Sequence, residues 1–142
     1  MSVLSGQVIK SYRVIEKIDS GGFGEVYRAY QPVIEREVAI KVILPRYANE
    51  LSFIQRFEAE AQLVARLEHP HIVPLYDYWR DPEGAYLVMR WLRGGSVRDS
   101  IIEKPFDIEA TSRLLDHITG ALTVAHRNNI VHRDIKPENI LM

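Results

Sequence analysis

His132-Arg133-Asp134-Ile135-Lys136-Pro137-Glu138-Asn139-Ile140-Leu141 brings a carboxylate, an ammonium and an amide together at short fixed spacings, directly after a segment patterned as a helix. Phosphoryl transfer needs such a set. One group accepts the proton of the attacking hydroxyl, one offsets charge on the migrating phosphate, and one helps to hold magnesium. Asp134, Lys136 and Asn139 are the right chemical types for those tasks, in that order. The plainer reading, a solvated polar loop after a helix, does not account for the whole run.

Around this stretch lies a chain of 142 residues, 46% hydrophobic and 26% charged, the composition of a globular protein rather than a disordered or fibrous one. A formal net charge of −1 gives no overall basic field to attract nucleic acid. There is no cysteine, so disulfides and thiolate metal sites are excluded and a reducing compartment fits. The N-terminus lacks the pattern of a secretory signal, and no apolar run approaches the ~20 residues of a membrane span. The expectation is a cytoplasmic chain without membrane contact in this segment, leaving an anchor beyond Met142 open.

Upstream, Tyr12 to Ile18 alternates like a half-buried strand, with Tyr12, Val14 and Ile18 expected inward. Ser20-Gly21-Gly22-Phe23-Gly24 forces a turn before a second strand pattern from Glu25 to Tyr30. Arg36 to Leu44 reads as a strand covered on both faces. Asn49 to Leu67 changes to helical period through Phe53, Phe57, Ala61, Val64 and Leu67, and His69-Pro70 ends it. Ile72 to Tyr78 and Ala85 to Trp91 read as further strands across the turn Asp81-Pro82-Glu83-Gly84. Arg93-Gly94-Gly95 marks a lobe boundary, Ser96 caps a short helix reaching Ile102, and a long helix runs from Ile108 to about Arg127, stopped by Asn128-Asn129.

Three earlier motifs carry chemistry. The glycine turn lets backbone N–H groups approach phosphates without a side chain in the way. Strands flank it on both sides, which excludes a dinucleotide fold, and no G-K-[ST] makes it a P-loop. In Val38-Ala39-Ile40-Lys41 a lysine inside an apolar strand must find a partner or reach solvent. Glu58 and Glu60 on the following helix are both candidates. Tyr86-Leu87-Val88-Met89-Arg90-Trp91-Leu92 runs a strand into a glycine-broken connector, where backbone groups can pair with a flat heterocycle. Among the five histidines, His69-Pro70-His71 reads as a structural turn rather than a metal site, and His117 and His126 as surface or interface residues.

In this order the motifs resemble those of the protein kinases, over almost the whole chain from Ile18 to Asn139. The last stretch matches the catalytic-loop pattern H-R-D-x-K-x-x-N, and the lysine two residues after the aspartate resembles the serine/threonine branch, of the bacterial eukaryotic-like kind. The resemblance implies an α+β kinase-like fold: a complete small lobe and hinge over residues 1–92, with a five-stranded antiparallel sheet and one helix, then the start of the helical large lobe over 93–142, truncated after the catalytic loop. It implies ATP and Mg2+ as ligands, with Ile18, Asp19, Ser20, Gly21, Gly22, Phe23, Gly24, Glu25, Val26, Ala39, Lys41, Met89, Arg90, Leu92 and Ser96 around the nucleotide. Met89 would sit behind the adenine, the backbone of Arg90 and Leu92 would meet its edge, and Ser96 would meet the ribose. Lys41, paired with Glu60, would position phosphates; Asp134 would accept the hydroxyl proton, Lys136 would stabilise the phosphate, and Asn139 would ligate one magnesium. His132 would pack within the catalytic loop, and Arg133 would imply control by activation-loop phosphorylation.

The sequence departs from the pattern at two places. Asp19 stands where G-x-G-x-x-G-x-V has its first glycine, so nucleotide binding is expected to be weakened, and Arg90 stands where an acidic residue is frequent. The chain also stops at Met142, before any Asp-Phe-Gly or activation segment, so residues 1–142 alone are expected to lack kinase activity and to expose the apolar side of the long helix. Three classes follow: part of an active kinase acting on serine or threonine of a protein, a non-catalytic nucleotide-binding module, or a half-domain docking on a partner kinase, a kinase dimer included.

Overall fold

The computed structural model describes residues 6–22, 24–130 and 140–142. It divides into two units, one holding the chain through Arg66 together with Pro74–Trp91, the other Leu67–Val73 with Leu92–Met142.

The first unit is built on the strand Arg36–Ile43 (β4), whose alternation places successive side chains on opposite faces. Val38, Ile40 and Val42 point into a core shared with Tyr12, Val14, Tyr27, Ala29, Tyr86 and Val88. Ile43, on the other face, packs with Ala48 and Ala85 beneath Tyr47, Phe53 and Phe57. The remaining strands are Val8–Ile9 (β1), Tyr12–Ser20 (β2), Gly24–Gln31 (β3), Leu75–Asp81 (β5) and Gly84–Arg90 (β6). They form one antiparallel sheet in the order β1-β2-β3-β4-β6-β5. Among the described residues the sheet therefore has six strands, not five. The added strand is a two-residue edge, too short for a periodic signal, held by Val8 opposite Arg13 and Ile9 opposite Tyr12.

Two boundaries and one side-chain placement differ from the sequence expectation. Pro45 starts a separate helix, Pro45–Ala48 (α1), and Asn49 closes it, so the long helix is Leu51–Ala65 (α2). The strand expected from Ile72 begins at Leu75, because the Ile72 N–H is taken by the His69 carbonyl in a turn and Pro74 has no N–H to offer a ladder. Ile18 is 42% exposed rather than inward. The ladder shifts register between Val14 and Glu16, so Lys17 rather than Ile18 comes to stand opposite core Tyr27, and shifts again between Lys17 and Asp19, which makes Ile18 the extra residue of a β-bulge.

In the second unit, Ser96 caps the helix Val97–Glu103 (α3) through a reciprocal box: Asp99 N–H donates to Ser96 Oγ at 3.3 Å, and Ser96 N–H to Asp99 Oδ2 at 2.9 Å. Asp107 accepts from the Ala110 N–H at 2.7 Å and opens the helix Ile108–Arg127 (α4), with Asn128 and Asn129 after it. The end of the chain pairs with the stretch before α3, Val97 N–H to Ile140 O at 2.7 Å and Met142 N–H to Gly95 O at 2.8 Å. None of the residues of α4 is buried; Ile108 is 90% and Leu115 57% exposed.

Candidate nucleotide site

The glycine turn joins β2 to β3, closed by the Gly21 N–H donating to the Gly24 carbonyl at 2.9 Å. Its glycines do different things. A Cβ on Gly21 or Gly22 would meet nothing within 4 Å among the described residues, so their backbone is open to approach there. A Cβ on Gly24 would lie 1.8 Å from the Val42 carbonyl oxygen, so that glycine serves the approach of β3 to β4. Asp19 folds back on the turn, its Oδ1 accepting the Ser20 N–H at 2.9 Å.

Cross-strand partners share a face of a sheet. The ladder puts Asp19 opposite Val26, Val26 opposite Lys41 and Ala39 opposite Met89. Asp19, Val26, Ala39, Lys41 and Met89 thus lie on one face, the face on which Ile43 packs under α2. Glu25 lies on the other, opposite Val42. Its carboxylate accepts a short hydrogen bond from the Tyr27 hydroxyl and pairs with Lys17 at 3.7 Å. Burial and that bond push the Tyr27 phenol up. Of Glu25, expected near the nucleotide, only the backbone remains for the turn.

Lys41 stands exposed between buried Ile40 and Val42. It borders a cavity of about 290 Å³ with Ile43 of β4, Tyr47 of α1, Glu50 just before α2, and Ser52, Phe53 and Arg56 of its first turns. The expected ion pair with Glu60 is not formed, and among the described residues Glu58 does not replace it. Glu58 and Glu60 are both exposed on α2, which is held to the sheet through Phe57, edge-on to Tyr78 at 6.1 Å, and through buried Ala61.

Met89 is half-buried, and the Arg90 N–H is taken by the Pro74 carbonyl at 3.2 Å while its guanidinium reaches Tyr76 Oη at 3.4 Å. In the second unit Leu92 is half-buried and the Ser96 hydroxyl is engaged by Asp99. Phe23, His132, Arg133, Asp134, Lys136 and Asn139 lie outside the described residues.

A histidine cluster went unread in the sequence. His69 Nδ1 accepts the His71 N–H at 3.0 Å, a structural turn, and the His71 ring stacks on His117 at 3.8 Å between centroids. Only the loop-to-helix packing brings His117 there; no spacing along the chain signals it. Loss of hydration on the stacked face, then charge on His117 and His69, lowers the His71 pKa, although the residue as a whole is exposed. The folded form therefore favours neutral His71, so its contribution is present above the ordinary value of about 6.5 and is lost as pH falls below it. The urea midpoint is expected to fall between about pH 6.5 and 5, and to fall less in His71→Gln.

The sequence profile of the protein kinase domain matches residues 12–142. The chain is 39% identical over 132 residues to the serine/threonine-protein kinase PrkC of Bacillus subtilis, covering 92% of this chain and 20% of that protein. It is 43% identical over 132 residues to PknL of Mycobacterium tuberculosis, covering 92% of this chain and 33% of that one. The chain thus spans a fifth to a third of these curated relatives. The M. tuberculosis PknI kinase domain superposes with a TM-score of 0.87 at 28% identity, over 96% of this chain and 56% of that one. Rad53 1–466 in complex with AMP-PNP gives 0.84 at 29%, over 94% and 35%. With the glycine turn, the exposed lysine of β4 and the sheet order all in place, the chain belongs to the protein kinase family, as the N-terminal part of its catalytic domain.

Proposed function

We propose that this chain is the nucleotide-handling part of a serine/threonine protein kinase that transfers the ATP γ-phosphoryl group to a protein hydroxyl. The observation that carries the reading is the single sheet face on which Val26, Ala39, Lys41 and Met89 lie beside an open glycine turn. Small and apolar residues there accommodate a flat base, and the exposed lysine supplies a cation for phosphates. Residues 1–92 serve as the small lobe and hinge, and 93–142 begin the large one.

Lys41 holds phosphates as a point charge, and Glu60 is the carboxylate that would take it as partner in the catalytic arrangement. Asp134 orients the acceptor hydroxyl and takes its proton; Lys136 offsets charge on the transferring group. Magnesium shields phosphate charge when bound, and Asn139 has the hard amide oxygen it takes. Arg133 pairs with a phosphorylated activation segment, and a second kinase copy is a candidate partner. Among the described residues no helix is long and apolar enough to cross a membrane.

The chain of residues 1–142 is expected to bind ATP and to turn nothing over. Competition of a fluorescent ATP analogue by ATP, beside transfer of labelled phosphate to a generic protein acceptor, tests both. Absence of competition at millimolar ATP would remove the nucleotide reading; phosphate transfer would remove the expected inactivity. The exposed Ile108 and Leu115 of α4 favour a second reading, a docking half-domain, which a discrete stable complex with a kinase would support.

A further inference from the structure

Asp19 interrupts a glycine motif, and its place in the sheet gives it a role. The bulge at Ile18 puts Asp19 opposite Val26, which is itself opposite Lys41. Asp19 and Lys41 therefore lie on the same face, two strand spacings apart, about 10 Å between backbones. The other charges of the turn are neutralised or turned away: Lys17 pairs with Glu25 at 3.7 Å, and Glu16 with Arg28 at 3.1 Å. Among the described residues no ion pair neutralises Asp19, which is exposed. Its carboxylate also takes the Ser20 N–H at 2.9 Å, which occupies a backbone donor at the turn.

We infer that Asp19 is a specificity-determining residue that makes the site select magnesium-complexed nucleoside triphosphate and reject the uncomplexed tetra-anion. The inference rests on the nucleotide reading above. An uncompensated negative charge at the turn repels a phosphate chain in proportion to the chain's own charge. Uncomplexed ATP carries about two more negative charges than its magnesium complex, so it meets the larger penalty. A glycine there imposes no such discrimination, because it brings no charge and leaves the Ser20 N–H free. The cation lowers repulsion by sitting on the nucleotide, and Asp19 need not ligate it.

The test is binding, with no turnover needed. The wild-type chain, Asp19→Asn and Asp19→Gly are each titrated with adenosine, with ATP plus excess magnesium, and with ATP plus EDTA. Wild type is expected to bind the magnesium complex more tightly than uncomplexed ATP. Both variants should gain roughly 4- to 20-fold on uncomplexed ATP, and clearly less on the magnesium complex. Adenosine affinity should stay the same in all three, which also shows that the variants are folded. Because asparagine keeps an acceptor for Ser20, a gain in Asn equal to that in Gly identifies charge as the cause; a gain in Gly alone would overturn the charge argument. The wild-type preference should shrink as salt is raised. If adenosine and the magnesium complex bind but neither variant gains on uncomplexed ATP, the inference is wrong and the nucleotide reading stands. If wild type binds neither adenosine nor the magnesium complex, both fall.

Discussion

Replacing Gly24 by alanine is expected to destabilise the six-stranded unit by roughly 3 kcal/mol or more, a drop of about 10 °C in its melting temperature. The new Cβ would lie 1.8 Å from the Val42 carbonyl oxygen and 2.9 Å from its carbon. That oxygen is backbone of β4, with Val42 in register opposite Glu25, so neither strand can yield without breaking the ladder at the foot of the turn. A flexible side chain could swing aside; a central strand cannot. Gly22→Ala is the control, since its Cβ meets nothing within 4 Å among the described residues and its stability should change by less than about 0.5 kcal/mol. Urea unfolding followed by circular dichroism compares the two. Equal stabilities would mean that β3 and β4 are not packed as closely at Gly24 as described. A glycine motif read as phosphate machinery then has one member whose first duty is to the sheet.

Lys41→Met separates binding from folding in the opposite way. Lys41 is exposed and joins no ion pair among the described residues, so its loss should leave the urea midpoint within about 0.5 kcal/mol of wild type. Methionine keeps a linear apolar stem on the strand. Affinity for magnesium-complexed ATP should fall about 10- to 100-fold, the range of a charge-assisted contact to phosphate, while adenosine affinity stays the same. An unchanged ATP affinity would take Lys41 out of the nucleotide site. A large loss of stability would show instead that the lysine is a structural member of the sheet. Glu60→Gln is informative beside it: with no Lys41–Glu60 pair in this structure, it should not alter nucleotide binding by the chain of residues 1–142.

Much of this was legible in the residues. Alternation of Val38, Ile40 and Val42 against Ala39 and Ile43 marks β4, because burial on both faces leaves few polar positions. Ser96 announces the start of α3, since a cap is local chemistry between residues three apart, whereas Asp99 as its reciprocal partner and Asp107 as the cap of α4 come from the structure. The motifs around Lys41 and Asp134 carry the family, because a reaction needing a few charged groups leaves them at recognisable intervals. Asp19 stood out for the same reason, as a charge where a hydrogen atom is usual.

What the sequence by itself determined is therefore the order of the longer strands and helices, the Ser96 cap and the chemical inventory, all of which depend on neighbours a few residues away. Tertiary structure decided what those groups face. The bulge that exposes Ile18 and aligns Asp19 with Val26 and Lys41 depends on the register with β3, which no local period specifies. Glu25 was assigned to the turn, yet cross-strand pairing puts its carboxylate on Tyr27 and Lys17. Phe57 on Tyr78 and buried Ala61 fix α2 against the sheet, while Glu60 stays exposed and joins no ion pair with Lys41. His71 meets His117 only because the loop before β5 packs on α4.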